Sequence, residues 1–126
     1  MNKIILKDGW GTFEEKEDAW FFGEKEIKSQ VLIDVLDDIF NTCQENGVVA
    51  YWDIEAEDKD SKVIRTFLNG KLEELEETYS GIIEHLQEIG RVHIMTINNV
   101  SQAITDLEKL GYNTEVSPCT DYIVLK

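Results

Sequence analysis

Asp53, Glu55 and Glu57 alternate along the chain, and Asp58 and Asp60 follow directly. In an extended strand, alternation puts the first three carboxylates on one face. Oxygen ligands gathered in this way suit hard cations such as Mg²⁺ or Ca²⁺. The stretch lacks the glycine and the closing bidentate Glu of an EF-hand loop, so the expectation is a solvated strand face with no metal bound. His85 and His93 are the only histidines, and neither has a helical i,i+4 partner or a Cys at zinc-ligand spacing. Both are expected to be structural or surface residues. Cys43 falls in an apolar stripe where a thiol packs as a small hydrophobe, and Cys119, in a turn, has no identifiable base. No G-x-G-x-x-G, Walker A, G-x-S-x-G or H-E-x-x-H pattern occurs. No nucleophile, base and electrophile can be named together. The chain therefore reads as a non-enzyme without a cofactor.

Aromatic and acidic residues interleave near the N-terminus, as Asp8, Trp10, Phe13, Glu14, Glu15, Glu17, Asp18, Trp20, Phe21, Phe22, Glu24 and Glu26. Interfaces favour aromatic anchors, ring faces attract Arg and Lys, and surrounding carboxylates steer a cationic partner. Trp20, Phe21 and Phe22 are expected to lie largely in the core. Trp10, between two glycines, is harder to bury and is the expected anchor. The expected partner-binding residues are Trp10, Glu14, Glu15, Glu17 and Asp18, with Asp34, Asp37 and Asp38 and with Asp53, Glu55 and Glu57.

The formal net charge is -14 on 126 residues. Residues 8 to 60 hold sixteen Asp and Glu against four Lys, which suggests one acidic face. Such a field repels nucleic-acid phosphates and anionic membrane surfaces, so the expected partner is a basic protein, such as a nuclease toxin or another nucleic-acid-binding protein. Carboxylates spaced like phosphates would occlude its cationic groove. The reading is an acidic binding module, an immunity protein or inhibitor. The alternatives are a small-ligand-sensing module and acidity that serves solubility alone. Three Trp and five Phe with clear periodicity exclude disorder. Two cysteines and no signal-like or membrane-length apolar run lead to the expectation of a cytoplasmic protein.

These residues need a scaffold. Residues 3–7 and 19–22 read as strands of an N-terminal hairpin or meander. Ser29 is placed to cap a helix with apolar stripe Leu32, Val35, Leu36, Ile39, Phe40 and Cys43, opposite Asp34, Asp37, Asp38, Asn41 and Glu45. Period-two alternation predicts a strand over 48–56, then a turn at Asp58–Ser61 and a second strand over 62–68. A helix with stripe Leu72, Leu75, Tyr79, Ile82, Ile83, Leu86 and Ile89 follows, with Gly81 permitting close packing. A strand over 91–97 leads to a helix opened by Asn99 and Gln102 with stripe Val100, Ala103, Ile104, Leu107 and Leu110, and to strands at 112–116 and 122–125.

The expected architecture is a single α+β domain over residues 1–126, with about three helices on one mainly antiparallel or mixed sheet of roughly six or seven strands. Residues 91–126, through the strand, the Asn99–Leu110 helix and the Gly111–Tyr112 exit, resemble the closing half of a ferredoxin-like or ACT-like domain. That resemblance implies a ferredoxin-like C-terminal part and motivates the ligand-sensing alternative.

Overall fold

β1 (Asn2–Leu6), β2 (Gly11–Lys16), β3 (Ala19–Phe22) and β4 (Lys25–Glu26) form an antiparallel meander. This is the computed structural model of the chain, which describes all residues except 119 and 120 and, at Glu45, the backbone only. Cys119 thus lies outside the described residues. Glu17 and Asp18, with φ of 50° and 66°, make the tight β2–β3 turn.

Helix α1 (Gln30–Cys43) begins at Ser29, whose hydroxyl accepts from the Leu32 N–H at 3.2 Å. It buries Leu32, Val35, Leu36, Ile39 and Phe40. Cys43, placed in the same stripe, is only half-buried. The chain then returns through β5 (Gln44–Glu45) to β6 (Val49–Trp52), which runs parallel to β1. The resulting sheet has the order β4-β3-β2-β1-β6-β5. Pairing across it puts Ile4, Leu6, Phe13, Trp20 and Ala50 on one side, where all five are buried and where α1 packs.

After β6 the sequence expectation fails. The strand stops at Trp52, and residues 62–68 lie within helix α2 (Lys59–Leu68). The Asp58 carboxylate accepts from the Ser61 N–H at 2.8 Å, so the supposed turn is a helix cap. Ser61 and Ile64, one turn apart, are both fully buried. The β-branched run Val63-Ile64 suggested a strand, but burial on a helical face decides the outcome.

The chain divides into two compact units, Met1–Arg65 and Thr66–Lys126, with α2 crossing the division. In the second unit, α3 (Leu72–Thr78) and α4 (Ser80–Glu88) replace the single expected helix. Thr78 Oγ1 donates to the Glu74 carbonyl at 2.8 Å and Ser80 Oγ to that of Glu77 at 3.1 Å, and such back-bonding on both sides of Tyr79 competes with a continuous ladder. Ile89, expected in the core stripe, is 61% exposed.

β7 (Arg91–His93) is short because a 3-10 turn follows at once, in which His93 Nδ1 accepts from the Met95 N–H and the Thr96 hydroxyl donates to the His93 carbonyl. Helix α5 (Val100–Lys109) is capped by Asn99, whose side-chain oxygen accepts from the Gln102 N–H. β8 (Thr114–Val116) and β9 (Tyr122–Leu125) complete a sheet of order β7-β9-β8, with β9 antiparallel to both neighbours. The expected β-α-β-β order is present, as a split β-α-β unit. Its sheet has three strands among the described residues, short of a ferredoxin-like domain. Leu86, Val92 and Leu107 form its buried cluster.

The class is α+β, as expected. Two separate sheets stand in place of one, and five α-helices among the described residues in place of three. No helix among the described residues is long and apolar enough to cross a membrane.

Candidate partner-binding site

Leu6 pairs with Trp52 across the parallel β1–β6 ladder, so the segments leaving both strands emerge at the same end of the sheet. One of them carries Asp8 and Trp10, and the other Asp53, Glu55 and Glu57. Two candidate groups that lie about forty residues apart in sequence thereby become neighbours. Trp10 is 53% exposed, a large aromatic surface left in water.

The Trp10 loop has a constrained backbone. Asp8, at φ 63°, occupies the left-handed region that Asp tolerates better than most residues. Gly11, at φ 140°, lies under the Phe22 ring, and a Cβ there would come within 2.5 Å of Phe22 Cζ. Phe22 itself packs on Phe13, with ring centroids 4.8 Å apart. The loop presenting Trp10 is therefore seated on an aromatic pair of buried Phe13 and half-buried Phe22.

The segment after β6 is held as firmly. Arg65 Nη1 donates to the carbonyls of Ile54 at 2.6 Å and Ala56 at 3.0 Å. Ser61 Oγ accepts from Trp52 Nε1 at 2.9 Å and donates to the Asp53 carbonyl at 3.2 Å. Asp53 Oδ1 accepts from the Glu55 N–H at 2.9 Å, closing a local turn. These bonds leave Asp53, Glu55 and Glu57 exposed on an ordered loop. They do not form the strand face expected from their alternation, because the backbone turns at residue 54.

Asp38 belongs to the same neighbourhood. It hydrogen-bonds the Asp60 side chain at the start of α2. Burial, then the bond to Asp38, then repulsion from Asp38 push the Asp60 carboxyl up to about 6, with Lys59 opposing and Asp58 adding to the rise. Asp60 therefore holds a proton against Asp38 below about pH 6 and is ionised beside it above that value.

The remaining candidates are placed elsewhere in the unit. Asp37 accepts from Trp20 Nε1 at 2.8 Å, which ties α1 to β3, and Asp34 accepts from Gln30 at 2.8 Å. Glu14 lies on the sheet side away from α1, 3.7 Å from Lys16 Nζ. Glu15 points to the α1 side and accepts from Asn2 at 2.8 Å. Glu17 and Asp18 occupy the β2–β3 turn, at the end of the sheet opposite Trp10. The expected acidic face is thus divided, and the structure gathers only Trp10, Asp38, Asp53, Glu55 and Glu57 toward one end.

In the second unit a cleft of about 660 Å³ is lined by both histidines, which the sequence analysis assigned to structural or surface roles, and by Arg91, which it did not single out. The Arg91 guanidinium lies 4.7 Å from the Tyr122 ring centroid, and the His93 ring meets Tyr122 edge-on at 5.0 Å. The sequence signal was present as Arg91-Val92-His93, whose alternation puts Arg91 and His93 on one side of a strand, but their convergence with His85 required the tertiary fold.

No family model matches this chain, and no curated protein or solved structure matches it either.

Proposed function

We propose that the protein is an acidic binding module that neutralises a basic protein, such as a nuclease toxin or another nucleic-acid-binding enzyme, by presenting Trp10 and the carboxylates around it to a cationic groove. The observation that supports this most is the exposed Trp10 at the same end of the sheet as the ordered Asp53–Glu57 loop. An aromatic anchor beside preorganised carboxylates suits an Arg- or Lys-rich surface, since the anchor supplies desolvated contact area and the carboxylates supply steering. Rigid presentation lowers the ordering cost of association. The Asp38–Asp60 pair adds two adjoining carboxyls for a partner's cation, which below about pH 6 would displace the proton held on Asp60.

The test uses the intact chain. Basic proteins retained by it from a lysate at low salt are purified and assayed for nuclease activity with and without a stoichiometric amount of the chain. Inhibition is expected to weaken as salt shortens the screening length from about 8 Å to about 3 Å. Trp10→Ala and the combined Asp53→Asn, Glu55→Gln, Glu57→Gln variant should each bind at least about tenfold more weakly. Binding that both variants retain in full, or that salt leaves unchanged, would sink the reading.

A further inference from the structure

We infer that the cleft lined by α4, β7 and β9 binds a small organic anion with a planar apolar body, the simplest member of the class being an arylalkyl carboxylate. This site lies within the second unit and is independent of the Trp10 end.

The distribution of charge favours an anion here. The chain carries a net charge of -14, yet the described lining residues include Arg91, His85 and His93 and no Asp or Glu. On so acidic a molecule a lining without carboxylates lessens the repulsion that an anion meets. The cleft's volume of about 660 Å³ fits a small-molecule site rather than a single ion.

The donors are oriented. The Arg91 guanidinium lies over the Tyr122 ring, 4.7 Å from its centroid, a contact that leaves its planar fork of N–H donors, the group that grips a carboxylate with two bonds, at the cleft wall. His93 Nδ1 accepts from the Met95 N–H at 3.2 Å, so the neutral ring carries its proton on Nε2. His85 Nδ1 lies 3.0 Å from the Gly81 carbonyl, which can only accept, so in the neutral ring the proton is on Nδ1 and Nε2 is an acceptor; the donors offered to an anion are those of Arg91 and His93. Ile82 and Val92 supply apolar lining for the ligand body.

Gly81 shapes the same cleft. It is the second residue of α4, in the first turn after the break at Tyr79. Its backbone is not left-handed, and a Cβ built on it would meet nothing within 4 Å. The close packing expected from the sequence is absent, so neither conformation nor a neighbour requires glycine. What the missing side chain leaves is open space in the cleft wall. That space admits a ligand body against the wall.

The experiment is an amide NMR titration of the full chain with indole-3-acetate, with indole-3-acetamide as the uncharged control and acetate as the control without a ring. Saturable shifts are expected at Gly81, Arg91, Val92 and His93, with the amide and acetate each at least about tenfold weaker. Gly81→Trp should melt no lower than the parent and bind about tenfold more weakly or worse; Arg91→Gln, at an exposed position, should do the same and decides the matter if Gly81→Trp does not fold. Absence of saturable shifts, equal affinity for acid and amide, equal affinity for acetate, or undiminished binding by a folded variant would each overturn the inference.

Discussion

The Tyr79 phenol donates to Asp106 Oδ2 at 2.6 Å, joining the break between α3 and α4 to α5. Asp106 is buried and also accepts from Gln102 Nε2 at 2.9 Å, with Lys109 Nζ at 3.8 Å. A carboxylate held in this way anchors the helix break to α5. Tyr79→Phe should destabilise the fold by about 1.5–3 kcal/mol, the usual worth of a hydrogen bond to a charged group, as read from urea unfolding.

Burial and the Asp106 carboxylate push the Tyr79 phenol from 10.0 up to about 12. A raised value means that the folded state holds the proton more tightly. The stabilisation is therefore complete below the unfolded value and is lost as pH rises through the folded one. Parent and Tyr79→Phe stabilities should converge between about pH 10 and 12. A constant difference across that range would remove the bond from the explanation.

Asp60, raised from 3.8 to about 6, follows the same sign. Its contribution to stability is present below about pH 3.8 and is lost as pH climbs through about 6. Asp60→Asn should accordingly be more stable than the parent at pH 7.5, and the advantage should vanish at the acid end. Binding of a basic partner near pH 6 should release a proton, visible as a buffer-dependent heat in calorimetry.

Gly11→Ala should cost about 2–4 kcal/mol, combining a strained backbone with overpacking against Phe22. Gly9, at φ 76° with nothing within 4 Å of a built Cβ, serves as the control and should cost only about 1 kcal/mol on replacement by Ala. Comparable losses at both positions would show that Phe22 yields.

Arg65→Met removes the donor to the Ile54 and Ala56 carbonyls. Faster amide exchange confined to residues 53–58 is expected, with a global loss of about 1.5–3 kcal/mol. Unchanged exchange there would mean that Ser61 and Asp58 suffice to order the loop.

Local chemistry alone determined a good part of this molecule. Ser29 and Asn99 mark helix starts because their side chains satisfy backbone donors within three residues, and the α1 stripe is buried residue for residue from Leu32 to Phe40 because helical periodicity is a local property. The exposure of Trp10 followed from its flanking glycines. Tertiary structure decided the rest. Residues 62–68 became helix because Ser61 and Ile64 are buried on one helical side, which outweighs the β-propensity of Val63 and Ile64. The helix over 72–89 broke at Tyr79, where the phenol meets a carboxylate 27 positions away. The gathering of Trp10 with Asp53, and of Arg91 with His85, depends on strand pairing and helix docking between distant segments, and no periodicity within either segment encodes such a partnership.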